Sequence, residues 1–251
     1  MSICVYCGKV RKLTKEHIWP KSIIRRVDNY TARYSASGDK VFGGELIVKD
    51  VCSECNNVLL SVLDSYLLKL YHNYFSNFVD FEQKIVFKFE YEKLLRALLK
   101  ISYNTVRTTG KNISEFSEFK GFILYGGAIP TNVSLIVELI PPTVQNDTKV
   151  FPSSVRAGFV EIKPEIESII LRLVSINSYY FYLLISKKPL TDKTITKINA
   201  LVSQMSGVCI SETSNEVELC LSRRNDTYSI HDDHLTAKSD LYDDFFRKNQ
   251  K

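Results

Sequence analysis

No run of apolar residues in this chain reaches the roughly 18 that a membrane-spanning helix needs, which predicts a protein without such a helix and without a membrane partner. The start lacks secretory character as well. Met1 to Cys7 is short and leads straight into the polar stretch from Gly8 to Glu16, so no leader is expected and a cytoplasmic location follows. Internal repeats, low-complexity tracts and sustained heptads are also missing, which removes solenoid and coiled-coil architectures from consideration. There is no P-loop, no dinucleotide fingerprint and no GxSxG elbow, so the common nucleotide-binding and α/β-hydrolase chemistries have no motif to rest on.

The chain has 251 residues, 45% of them hydrophobic and 24% charged. That is ordinary for a globular protein and suffices for one large domain or two modest ones. The net charge of +5 is uneven, since residues 1–57 hold 10 Lys+Arg against 6 Asp+Glu and so account for +4 of it. Lys9, Arg11, Lys12, Lys15, Lys21, Arg25 and Arg26 crowd the same short stretch. A basic shell of this kind suits a polyanion such as nucleic acid, although an ordinary solvated surface has the same composition.

Four of the six cysteines fall into two CxxC pairs, Cys4/Cys7 and Cys52/Cys55, separated by 44 residues. Four thiolates on two knuckles are the ligand set of a closed tetrahedral zinc site. A reducing compartment favours metal over disulfide for such pairs. The long separation is accounted for by a hairpin inserted between the knuckles. Cys209 and Cys220 have no partner spacing and read as buried small hydrophobes.

Leu13 to Trp19 reads as a short strand ending before Pro20, and Ser22 to Arg26 as the start of a short helix. Ser35 to Gly44 reads as a loop and Glu45 to Val51 as a strand. From Asn56 to about Phe75 an apolar face at helical spacing predicts a long helix, with Asn56 or Asn57 as its N-cap. Lys84 to Phe89 predicts a strand, and Tyr91 to Arg107 a helix stopped by Gly110. Beyond residue 120 the chain reads as β-rich, with strands at Phe122 to Tyr125, Val133 to Ile140, Val155 to Ile162, Ser168 to Val174, Tyr179 to Ile185 and Val217 to Leu221. Thr191 to Met205 reads as a helix, and the tail from His231 as charged and partly ordered.

Between the knuckles stands Glu16-His17, and directly after the last cysteine stands Asn56. Cleaving a phosphodiester requires an activated water, stabilisation of charge on the phosphorane and help for the leaving oxygen. A neutral imidazole can serve the first need and a divalent ion the other two. Carboxylate and carboxamide oxygens are suitable ligands for magnesium or manganese. Each residue also has a commoner use: a surface acid, a satisfied core histidine, a helix cap. Trp19 could stack on a base but more often such a residue covers a small core. Arg223-Arg224 and His231/His234 read as solvated loop rather than groove.

The order CxxC, acid–His, CxxC-Asn, together with Leu13-Thr14-Lys15-Glu16-His17-Ile18-Trp19-Pro20-Lys21-Ser22, resembles the HNH or His-Me finger endonucleases in their four-cysteine form. The resemblance covers residues 1 to about 70. It implies an α+β chain with an N-terminal zinc-stapled ββα-metal module at 1–78. A helical connector and a β-rich mixed region of unread role, for target recognition or partner docking, would occupy 79–251. It implies a one-metal endonuclease acting on DNA phosphodiesters, with His17 as general base, Glu16 and Asn56 as ligands of a catalytic Mg2+ or Mn2+, and Cys4, Cys7, Cys52 and Cys55 around a structural Zn2+. Lys15, Lys21, Arg25 and Arg26 would hold the backbone of the nucleic acid. By analogy with small proteins of this kind, an effector role in a bacterial or phage defence system, beside an ATPase or another protein partner, is a further expectation. RNA is a second possible substrate, and a non-catalytic zinc-containing nucleic-acid-binding or scaffold protein is the alternative.

One departure from the family pattern is visible. Many members place a further histidine one turn along the last helix, where this chain has Leu60, with Ser61 and Asp64 the nearest polar groups. His72 lies 16 residues beyond Asn56, about 24 Å along a helix, too far to share an ion.

Overall fold

The structure is a computed structural model that describes residues 2–27, 32–35, 40–43, 46–79, 83–110, 112–145, 148–150, 152, 155–160, 168–188, 191–204 and 207–220. It mixes helix and sheet, as an α+β chain should. Two compact units divide the chain. One combines the chain up to Lys69 with Glu92–Ile129, and the other combines Leu70–Tyr91 with the described residues from Pro130 onward. A helix-bearing segment expected beyond a boundary at 78/79 therefore packs with the cysteine-bearing start.

In the first unit a short ribbon pairs β1 (Ser2–Ile3) with β2 (Val10–Arg11) around the first knuckle. Strand β3 (Leu13–His17) is followed by α1 (Lys21–Ile24) and by a hairpin of β4 (Ala32–Ser35) and β5 (Lys40–Gly43). Strand β6 (Ile47–Cys52) then returns antiparallel to β3. The hairpin is the insertion that the cysteine separation requires, although Lys40–Gly43 is strand where the glycine-rich composition suggested loop. The chain then becomes helical through wide π-type turns over Cys55–Leu60, continuing as α2 (Ser61–Leu70), with a further π-type segment at Tyr71–Phe75. The helix already begins at Ser53, so neither Asn56 nor Asn57 caps it; the Asn56 side chain turns back to β3 instead.

Helix α3 (Tyr91–Thr109) buries Leu94, Leu95, Leu98 and Ile101 and ends at Gly110, whose φ is +77°. Helices α4 (Ile113–Ser117) and α5 (Lys120–Tyr125) follow. Phe122 to Tyr125 is thus helix, correcting the strand expected there. A short apolar run does not distinguish the two by periodicity, and tertiary contacts decide: Arg96 Nε donates to Ile123 O at 3.1 Å and Arg96 Nη2 to Leu124 O at 2.9 Å, satisfying carbonyls at the helix end. Gly126 stops α5 at φ +71°, where a Cβ would collide with the Glu92 carboxylate.

The second unit is built on a five-stranded antiparallel sheet in the order β11 (Val155–Val160), β12 (Ile169–Ile176), β13 (Tyr179–Ser186), β8 (Val133–Leu139), β14 (Val208–Ile210). Every residue of β12 and β13 is buried, because both sheet faces are covered. Tyr180, Tyr182 and Leu184 share one face with Ile198 and Val202 of α6 (Asp192–Gln204). Tyr179 and Phe181 share the other with Phe75 and Phe87. Phe87 belongs to a ribbon of β7 (Lys84–Lys88) and β15 (Glu216–Cys220), and a small hairpin pairs β9 (Thr143–Gln145) with β10 (Thr148–Val150). Cys209 and Cys220 lie on β14 and β15 and are exposed, not buried as expected: the apolar contacts on these strands fall to Ile210 and Leu219.

Candidate functional site

The first knuckle is a tight turn in which Gly8 N donates to Cys4 O and Cys4 N to Lys9 O, both at 2.9 Å. It is tied to β6 by Val5 N donating to Asp50 O at 2.9 Å. The second knuckle opens at the end of β6, where Cys52 N donates to Cys4 Sγ at 3.3 Å, and closes in the first helical turn with Cys55. All four Sγ atoms lie within 4.8 Å of one another, and those of Cys7 and Cys52 are 3.9 Å apart. A tetrahedron with metal–sulfur bonds of about 2.3 Å has sulfur–sulfur edges of about 3.8 Å, so the donor set can hold a metal ion and is consistent with structural zinc. Burial works against ionisation of Cys4, but the backbone N–H groups of Cys7, Cys52 and Tyr6 outweigh it and bring its pKa down to about 7. Burial pushes the Cys7 and Cys55 thiols up.

The knuckles close one end of a strand–strand–helix unit, where Leu13 pairs with Cys52. His17 is the last residue of β3 and is half-buried. The β3–β6 register shifts between Thr14 and Glu16, where Lys15 alone stands opposite Lys49 and Asp50, so the extra residue lies on β6. Asn56 answers that irregularity: its Nδ2 donates to Lys15 O and to Thr14 Oγ1, both at 2.9 Å, and Thr14 Oγ1 donates onward to Val51 O. A bulge of this kind increases the local twist of the strand pair, just before Glu16 and His17.

Glu16 turns inward. It is 2% exposed, and its Oε1 lies 2.6 Å from Lys100 Nζ, itself fully buried; the same ammonium meets Asp64 Oδ1 at 2.5 Å. Burial opposes the charge on Lys100, but the two carboxylates outweigh it and raise its pKa. One turn along α3, Asn104 accepts at Oδ1 from Tyr6 Oη at 2.7 Å and from Arg107 Nη2 at 2.9 Å. Its Nδ2 faces Glu16 Oε1 at 3.5 Å and His17 O at 3.4 Å. Arg107 in turn meets Asp50 at 3.4 Å and lies over the rings of Tyr6 and Tyr103.

The structure thus brings the four cysteines into one cluster and places His17, Glu16 and Asn56 on one strand–strand–helix unit. Lys15, Lys21, Arg25 and Arg26 are exposed. Trp19 is buried, covering core. Among the described residues the four cysteines are the one His/Cys/Asp/Glu group arranged for a metal. Glu16 as arranged does not fit a divalent ion, since its carboxylate is neutralised by an ammonium. Sequence reasoning missed Lys100, Asn104 and Arg107. Their signal is present: polar residues at i, i+4 and i+7 share one face of α3 beside its apolar residues. Arg223, Arg224, His231 and His234 lie outside the described residues. Comparison with protein families, curated proteins and solved structures found no match to this chain.

Proposed function

We propose that this protein is an endonuclease that hydrolyses nucleic-acid phosphodiesters, DNA foremost, through the strand–strand–helix unit stapled by zinc on Cys4, Cys7, Cys52 and Cys55. The supporting observation is the bond from Asn56 Nδ2 to Lys15 O, which ties the first helical turn to the strand that ends in His17. In this reading His17 accepts the proton of the attacking water, a role matched by an imidazole with an ordinary pKa of about 6.5. Lys15, Lys21, Arg25 and Arg26 hold phosphates. Magnesium or manganese, when bound, would supply charge stabilisation at the phosphorane, with Asn56 the proposed protein ligand; Glu16, held by Lys100 at 2.6 Å, does not fit that role as arranged. A place in a defence system beside an ATPase is part of the same proposal.

The Glu16–Lys100 pair favours a second reading, a zinc-containing nucleic-acid-binding protein without catalysis, in which the acid is purely structural. Purified protein assayed on plasmid DNA and on RNA with EDTA, magnesium or manganese, beside His17→Ala, separates the two. Ion-dependent cutting lost in the variant supports the nuclease. Binding without cutting in any metal supports the second reading.

A further inference from the structure

We propose that Asn104 is a positioning residue through which the cysteine cluster sets the place of His17, so that helix α3 is part of the working site. The inference rests on the reading of His17 as general base. Tyr6 stands inside the first knuckle, between Cys4 and Cys7. It is buried, packed edge-on against Tyr103 with ring centroids 5.3 Å apart, and beneath the Arg107 guanidinium. It donates to Asn104 Oδ1, which also accepts from Arg107. A flip of the carboxamide would set its N–H against the Arg107 N–H, so the guanidinium fixes its orientation.

The fixed orientation aims Nδ2 at His17 O and at the Glu16 carboxylate. Both contacts are long, at 3.5 Å to Glu16 Oε1 and 3.4 Å to His17 O, so each is a weak bond taken singly. The path therefore runs from the knuckle through Tyr6 and Asn104 to the backbone of His17. Asn104 is fully buried, so this contact is made inside the protein and the residue acts through His17 and never on substrate.

Two variants test it. Asn104→Leu removes the whole relay at similar volume, and Tyr6→Phe removes only the knuckle's donor while keeping both ring contacts. The readouts are cleavage kinetics, zinc per chain, and backbone hydrogen exchange. A kcat lowered about 10- to 100-fold with KM and zinc content unchanged, and faster exchange confined to residues 13–20, is the expected result. Wild-type kcat and wild-type exchange at 13–20 in Asn104→Leu overturn the proposal. If Asn104→Leu loses zinc or unfolds, Tyr6→Phe decides by the same readouts, with wild-type values overturning it. If His17→Ala cleaves as well as wild type, His17 is not the general base; if wild type cleaves nothing in any metal, the nuclease reading itself fails. The positioning claim is then judged on exchange alone: local loosening at 13–20 keeps it, and no change sinks it.

Discussion

Lys100 Nζ lies 2.6 Å from Glu16 Oε1, and neither side chain reaches solvent to any useful extent. That pair, with Asp64 as a second carboxylate on the same ammonium, bonds α3 to the strand that carries His17. Removing the cation alone leaves a buried acid uncompensated. Lys100→Met is expected to destabilise the protein by about 3–5 kcal/mol, measured by urea denaturation at pH 7. A change under about 1 kcal/mol would show the pair to be energetically idle.

The same lysine sets an alkaline limit. Its folded pKa is raised above the ordinary 10.5, so the native state keeps this proton after the unfolded chain has lost it. The contribution is present in full below about pH 10.5 and is lost as pH rises through the higher folded value. Melting temperatures from pH 8 to 12 should fall more steeply in wild type than in Lys100→Met.

Metal removal should act on folding as well as on any activity. The knuckles hold the ends of short strands with little core of their own, so metal binding is coupled to folding there. One zinc per chain is expected by elemental analysis. Chelation or Cys52→Ser should lower the melting temperature, and added zinc should restore only the chelated wild type. Full stability in EDTA with no bound metal would count against the site.

Arg172 on β12 has the opposite character. It is 1% exposed, its Nε and Nη2 have no hydrogen-bond partner among the described residues, and its guanidinium meets the Phe159 ring at 4.5 Å. Burial pushes its pKa down, the mark of a charge that folding works against. Arg172→Met is expected to stabilise by about 1–4 kcal/mol; destabilisation of similar size would mean that the charge is compensated after all.

Much of the architecture was legible because its signals are local. CxxC spacing announced the metal cluster, the run Leu13 to His17 announced a strand, and apolar runs such as Tyr179 to Ile185 announced buried strands of the sheet. Failures came where local chemistry is ambiguous. Phe122 to Tyr125 is apolar enough for either state, and only Arg96 bonding the carbonyls of Ile123 and Leu124 makes it a helix end. Asn56 reads as a cap by type but spends its amide on a strand bulge.

The sequence by itself determined that two CxxC knuckles would offer four thiols, with an acid and a histidine shortly after one knuckle and an asparagine directly after the other, because spacing within each motif is short. Only the tertiary structure decided what the acid does. Glu16 reads the same whether it faces water, a divalent ion or an ammonium. Lys100 arrives from a helix remote in sequence, and its charge, desolvated at 2.6 Å, determines the partner that the carboxylate keeps.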